Sequence, residues 1–212
     1  MAEGGDQRRA PRVRMTGKDR REQLLDVGRR LFAEKGFDAT SIEEIASRAD
    51  VSKPIVYEHF GGKEGLYAVV VDREMQTLLT RITTSLSGGP PRLLLEQAAL
   101  AFLSYVEDNS EGFRILVRDS PVAASGGTLS SLLGDVAAQV EHLLAAEFKA
   151  HDLDPKFAPM YAQMLVGLVA LTGQWWLDTR KPKREIVAAH VANFAWNGLS
   201  QLEKKPTLLT GD

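Results

Sequence analysis

Apolar residues recur every three or four positions along most of the chain, whereas the strict alternation that marks a half-buried strand is missing. This spacing predicts an all-α fold. The front of the chain carries three amphipathic segments, followed by a longer one from Lys63 to about Leu86. Behind them the pattern predicts four or five more helices, at roughly 92–108, 111–118, 128–151, 155–180 and 183–203.

The clearest interruption is the segment SGGPP, residues 87–91, because paired glycines and prolines neither continue nor readily begin a helix. It divides the chain into a small N-terminal and a larger C-terminal helical unit. The predicted organisation is a disordered basic arm at 1–17, a helix-turn-helix unit at 18–62, a connecting helix at 63–86, a C-terminal helical domain at 87–204 and a tail at 205–212.

Local signals define the ends of the first two helices. Gly36 follows the first apolar stripe and suits the residue after a helix end. Ser41 and Glu44 have the spacing of a capping box, in which the serine accepts a hydrogen bond from the Glu44 amide and the glutamate reaches back. The second helix is therefore predicted to begin at Ser41.

The segment VSKPIVYEHF, residues 51–60, would be the last helix of a helix-turn-helix unit. Val56 and Phe60 lie four residues apart and share the face that packs inward. Ser52 is the predicted N-cap, and Pro54 falls in the first turn, where a missing N–H costs nothing. The free amides of that turn suit a phosphate.

The outward residues of this helix match the groups that a DNA major groove offers. Lys53 can contact a phosphate or a guanine edge, and Tyr57 and His59 can donate to phosphate oxygens. Ile55 can contact a thymine methyl, and Glu58 can accept from a cytosine amine. Any one of these residues also fits a helix that simply faces water, but the whole set favours DNA.

Charge supports that interpretation, although the net charge is only −2. Residues 7–21 carry seven basic side chains and one acidic one, as expected where a protein meets a polyanion.

The chain has no cysteine, which excludes disulfides, thiolate metal sites and a cysteine nucleophile. We find no secretion signal and no apolar stretch long enough to span a bilayer, so we expect a cytoplasmic protein without membrane contact.

Four short motifs stand in order between about Lys18 and Arg73: LFAEKGF, TSIEEIA, VSKPIVYEHF and GGKEGLY. This region resembles the DNA-binding region of the tetracycline repressor (TetR) family of bacterial regulators, without gaps. The resemblance implies a transcriptional regulator, most simply a repressor, with residues 51–60 as recognition helix. It implies that DNA lies near Thr40, Ser41, Ser52, Lys53, Pro54, Tyr57, His59 and Lys63.

The resemblance beyond residue 85 is one of architecture. It implies that the last two helices of each subunit form a homodimer, and two recognition helices one DNA turn apart would read an inverted-repeat operator. A long apolar stripe on the last predicted helix is the candidate interface, with intrachain core as the alternative. The stripe comprises Val187, Val191, Phe194, Gly198 and Leu202.

The same resemblance implies an effector pocket in the C-terminal unit. Aromatic and soft side chains on the corresponding helices are the candidate ligand contacts, although such residues also serve as ordinary core. They are Phe102, Tyr105, Phe113, Tyr161, Met164 and Trp175. Few charges accompany them, so the expected effector is small and largely apolar or aromatic.

Other functional classes remain open at this point. The four histidines form no metal-binding pair, no nucleophile motif is present and no phosphate loop follows a strand, so we expect neither an enzyme nor a cofactor or metal. A non-specific DNA binder using the basic arm is a second alternative. A regulator with a protein partner, or with no effector, is a third.

Overall fold

The computed structural model describes residues 15–86, 88–118 and 129–209, and these residues form an all-α protein. The predicted arm falls mostly outside them. The helices are α1 (Gly17–Lys35), α2 (Ile42–Arg48), α3 (Lys53–Phe60), α4 (Lys63–Ser85), α5 (Pro91–Asp108), α6 (Ser110–Val117), α7 (Leu129–Ala150), α8 (Ala158–Thr179) and α9 (Arg184–Ser200). No helix in the described ranges has the length and apolar content that crossing a bilayer requires.

Side-chain caps explain where the first two helices begin. Thr16 and Asp19 form a complete capping box at the start of α1, which was not predicted. At α2, Ser41 accepts from the Glu44 amide at 3.2 Å, as predicted. The reciprocal half of that box is not formed, because the Glu44 carboxylate instead lies 2.6 Å from Lys35 Nζ.

The turn between α3 and α4 depends on glycine. Gly61 and Gly62 have φ values of 72° and 139°, a region that side chains disfavour. A Cβ added to Gly65 would lie 1.9 Å from the Phe60 carbonyl oxygen. The close approach of α4 to the end of α3 therefore requires glycine at position 65.

Helix α4 joins the two units. At 1.5 Å per residue its 23 residues span about 34 Å. Its buried side packs on α1 near Leu66 and Val70, and on the C-terminal unit further along, at Leu78 and Ile82. One helix therefore reaches from the end of α3 to the C-terminal core.

The C-terminal unit packs α5 against α4, α8 and α9, and α7 against α8. Trp176 is buried in it, and its indole N–H donates to the Pro182 carbonyl at 2.7 Å, which closes the α8–α9 turn.

Two predicted helix ends need correction. The helix expected from residue 155 begins with a 3₁₀ turn, Pro155–Phe157, and the last helix ends at Ser200 rather than at residue 203.

Candidate nucleic-acid interface

Helix α3 lies on the N-terminal unit through one small apolar anchor. Val56 is fully buried, and Ile55, His59 and Phe60 are half-buried around it. Full burial of a valine side chain contributes roughly 1.5–3 kcal/mol. The helix is therefore held by one side and leaves its other side open.

The open side of α3 is polar and begins at the helix N-terminus. Ser52, Lys53, Pro54, Tyr57 and Glu58 are exposed, and Tyr57 leaves 54% of its surface free. Ser52 occupies the N-cap position, but its hydroxyl makes no capping hydrogen bond. Pro54 has no N–H and the Ile55 N–H donates to the Ser52 carbonyl at 3.1 Å, so the Ser52 hydroxyl, the Lys53 amide and the Lys53 side chain share this exposed end.

Lys53 is not free in this structure. Its ammonium pairs with the carboxylate of Glu43 on α2, and that hydrogen bond holds the pKa of Glu43 below its usual range. Both side chains are more than half exposed, so the pair is surface-screened and easily exchanged for another anion.

The far end of α3 is held from α1. Arg21 donates to the His59 carbonyl at 2.7 Å, and its guanidinium lies 4.3 Å from the centre of the Phe60 ring. This arginine satisfies a carbonyl at the helix end that would otherwise lack a partner. In the sequence, Arg21 stands out only as part of the basic segment, because nothing local indicates a contact across 38 residues.

Three of the predicted DNA-contact residues also have structural roles. Thr40 is 2% exposed and its hydroxyl donates to the Gly36 carbonyl at 2.7 Å, so its side chain is not presented to solvent. Ser41 is exposed but caps α2. Lys63 is half-buried, donates to the Phe37 carbonyl at 3.0 Å and lies 4.1 Å from the centre of the Phe37 ring.

The C-terminal unit contains an apolar cavity of about 270 Å³. Its walls come from α4, α5, α7, α8 and α9, with Ile82 and Leu86 on the α4 side and Trp196 on the α9 side. Among the described residues that line it, Glu147 is the one charged side chain. The environment suits an apolar molecule.

Of the six aromatic or soft residues singled out in the sequence, Phe102 alone lines this cavity. Tyr105 and Phe113 are fully buried in the core beside it, and half-buried Tyr161 packs on Phe148. Met164 and Trp175 are 55% and 56% exposed on the outer face of α8. Aliphatic residues form most of the wall, and these carry no sequence signal that separates a cavity from a core.

The residues of the stripe predicted on the last helix differ in exposure. Val187 and Val191 face the intrachain core, and Leu202 is half-buried after the helix end. Phe194 is 72% exposed and Gly198 is also exposed. Apolar residues on α8 and α9 nevertheless remain open to solvent. We call the following set the α8–α9 apolar face: Met164, Leu171, Trp175, Ile186 and Phe194.

Two family descriptions match the sequence along most of its length. "Bacterial regulatory proteins, tetR family" matches residues 24–70, and "Tetracyclin repressor-like, C-terminal domain" matches residues 91–198. The HTH-type transcriptional activator FasR of Mycolicibacterium smegmatis is 31% identical over 195 residues, covering 89% of this chain and 87% of the relative.

Solved structures agree with this assignment. A TetR-like transcriptional regulator from Rhodococcus sp. RHA1 superposes with a TM-score of 0.75 at 26% identity, covering 89% of this chain and all of that one. A tetR-family regulator from Streptomyces coelicolor gives 0.64 at 28% identity, with 85% and 80% covered. With its helix-turn-helix unit and its helical C-terminal domain, this chain belongs to the tetR family of bacterial transcriptional regulators.

Proposed function

We propose that the protein is a homodimeric repressor that binds an inverted-repeat operator and is released from it by a small apolar effector. The observation that carries the proposal is α3, which rests on buried Val56 and leaves Ser52, Lys53, Tyr57 and Glu58 exposed on one short helix. A helix of this size and polarity can enter a major groove.

The proposed contacts divide by the chemistry of each side chain. Ser52, Lys53 and Tyr57 bind phosphate oxygens and fix the register on the duplex. Ile55 and Glu58 face base edges, a thymine methyl and a cytosine amine respectively. Pro54 brings the helix start close to the backbone without donating an amide.

Burial limits which of the remaining predicted residues can reach DNA. His59 is half-buried and reaches DNA only from the edge of α3, and Ser41 contributes from the start of α2. Lys63 faces DNA only if it leaves the Phe37 carbonyl. The Thr40 hydroxyl supports the α1–α2 turn instead of binding DNA.

Dimerisation through the α8–α9 apolar face supplies the second recognition helix. Large exposed apolar residues on two consecutive helices favour an association site, and two copies of one patch satisfy twofold symmetry. In this arrangement Phe194 and Gly198 lie at the interface, whereas Val187, Val191 and Leu202 support it from the intrachain side.

The effector is proposed to occupy the 270 Å³ cavity. Its wall includes Ile82, in the last turn of α4, and Leu86, directly after that helix, whose other end begins at Lys63 beside α3. A ligand that displaces this end of α4 would change the separation of the two recognition helices. Crystal structures with and without effector that show the same helix separation would contradict this mechanism.

The first test is selection of bound duplexes from a random DNA pool at moderate salt. Recovery of an inverted repeat would support a dimeric, specific regulator. Recovery of unselected DNA, with steep salt dependence and no consensus, would instead support non-specific binding through the basic segment.

Once an operator is known, release of the labelled duplex by neutral apolar compounds tests for the effector. Release by none of these compounds favours a regulator without an effector.

Activation is the second candidate, since FasR of Mycolicibacterium smegmatis, which aligns with 89% of this chain, is named an activator. The two functions predict opposite results in transcription from a promoter that carries the selected operator. Added protein should lower transcript yield for a repressor and raise it for an activator.

A further inference from the structure

Glu74 is the one charged residue in the described part of the chain that is buried, with 8% of its surface exposed. It lies in the middle of α4, on the side that faces the other helices. A buried carboxylate is costly unless ionic or hydrogen-bonding partners compensate for the water it has lost. Its partners are therefore expected to be fixed in position.

Those partners come from both units of the protein. Arg29, on α1 of the N-terminal unit, places Nε 2.7 Å from one Glu74 oxygen. The contact is an ion pair, because the N–H is not aligned for a hydrogen bond. Tyr105, on α5 of the C-terminal unit, donates its hydroxyl to the other oxygen at 2.6 Å.

A third helix closes over the carboxylate. A Cβ added to Gly112, on α6, would lie 1.9 Å from the Glu74 oxygen that Tyr105 binds. Glu111, its neighbour on α6, lies 3.8 Å from Arg29. Helices α1, α4, α5 and α6 thus meet at a single carboxylate with no spare space.

The phenol of Tyr105 is held in its neutral, donating form. Burial raises its pKa far above the usual range, and the nearby Glu74 charge raises it further. Removing the hydroxyl would leave a Glu74 oxygen buried without its donor, which costs more than the net value of the bond.

Two aromatic contacts connect Tyr105 to the wall of the cavity. Tyr105 and Phe113 meet edge to face at 6.4 Å, and Phe113 and Phe102 meet in the same way at 5.5 Å. Phe102 lines the cavity and lies so close to α8 that a Cβ on Gly173 would be 2.2 Å from its ring. A shift of Phe102 therefore reaches the Glu74 carboxylate through two ring contacts.

We propose that Glu74, Arg29 and Tyr105 are positioning residues that fix the orientation of the DNA-binding unit on the C-terminal unit. This carboxylate junction is the place where occupancy of the cavity alters that orientation. The inference rests on the proposed function, because it assigns the regulatory link between the effector cavity and α1. Neither Arg29 nor Tyr105 is among the residues proposed to contact DNA.

The test compares Tyr105→Phe, which removes one oxygen atom, with Tyr161→Phe, which removes the same atom from a residue on α8 outside the junction. Gly112→Ala disturbs the carboxylate by an independent route, since the new methyl group needs the space that Glu74 occupies. Because the chain has no cysteine, spin labels at Ser47→Cys on α2 and Gln139→Cys on α7 report the distance between the units. Labelled chains are mixed with an excess of unlabelled chains, so that each measured pair lies within one chain.

We expect Tyr105→Phe and Gly112→Ala to broaden or shift the distance distribution and to weaken binding to the selected operator roughly fivefold. Binding to an unrelated duplex should stay unchanged, because phosphate contacts do not require a fixed angle between units. Tyr161→Phe should match the unsubstituted protein in all three measurements.

An unchanged distance distribution in Tyr105→Phe and in Gly112→Ala would overturn the proposal. So would an equal loss of operator and non-specific binding, which indicates general destabilisation instead of lost positioning. If the unsubstituted protein selects no operator, the proposed function fails, whereas the distance measurement still decides whether the junction fixes the orientation.

Discussion

The N-terminal and C-terminal units expose opposite kinds of side chain at the surfaces assigned to partners. Helix α3 turns its apolar Val56 inward and presents Lys53, Tyr57 and Glu58, whereas α8 and α9 present Trp175 and Phe194. A phosphate backbone is bound by charge and hydrogen bonds, but a second copy of the chain is bound by removing apolar surface from water. The difference separates the two interfaces proposed for this chain, and each can be disturbed independently.

The largest effect is expected at the α8–α9 apolar face. Phe194→Glu would place a charge in the proposed dimer interface and should give monomers. Operator binding should weaken by roughly 100-fold, because the second half-site is no longer bound by a linked partner. Sedimentation velocity measures the first change and duplex titration the second. Leu209→Glu, at an exposed leucine beyond α9, is the matched control. A dimeric Phe194→Glu protein would place the interface elsewhere.

On the polar surface, Lys53→Ala should weaken binding by roughly tenfold to operator and unrelated duplexes alike. It should also reduce the slope of log affinity against log salt by about one, the value for one phosphate contact. Lys149→Ala, on the exposed side of α7, removes the same charge far from α3 in sequence and should change neither quantity. A change confined to certain operator sequences would instead assign Lys53 to a guanine edge.

Tyr57→Phe tests a single hydroxyl on the same surface. We expect about threefold weaker binding, similar for all operator sequences, because one hydrogen bond to phosphate is lost. Repeating the random-pool selection with this variant provides the check. An altered consensus would show that Tyr57 reads a base.

The smallest effect is expected at Glu43. Glu43→Gln removes the carboxylate that pairs with Lys53, so DNA binding should strengthen by about twofold. Because the pKa of Glu43 is lowered by Lys53, the carboxylate stays charged below the usual glutamate range, and the gain should persist between pH 7 and pH 5. Unchanged binding across this range would mean that DNA already displaces Glu43 at no cost.

The sequence predicted the N-terminal unit well because its signals are local. Ser41, Ser52 and Gly36 were expected at helix ends from neighbouring residues alone, and each stands at one in the structure. The contacts in this unit that were not predicted join residues distant in sequence. Arg21 donates to a carbonyl 38 residues away, and the Glu44 carboxylate pairs with Lys35 instead of capping the start of α2.

The C-terminal unit shows the limit of periodicity. Spacing identified an apolar side on the last helix, but it did not distinguish Val191, which faces the core, from Phe194, which faces solvent. Tyr105 was selected as a ligand contact, yet its hydroxyl binds Glu74. These assignments depend on which neighbouring helix each face meets, and that information is absent from a single amphipathic pattern.

The support of α3 by Arg21 has a consequence for how the proposed operator preference of this protein could be changed. Arg21 donates to the backbone carbonyl of His59 and not to its side chain. The support therefore survives a change of residue at position 59, and the exposed positions of α3 can also vary without disturbing it. If α3 enters the major groove as proposed, a new operator preference can be engineered by exchanging its outward side chains while Arg21 keeps the helix in place.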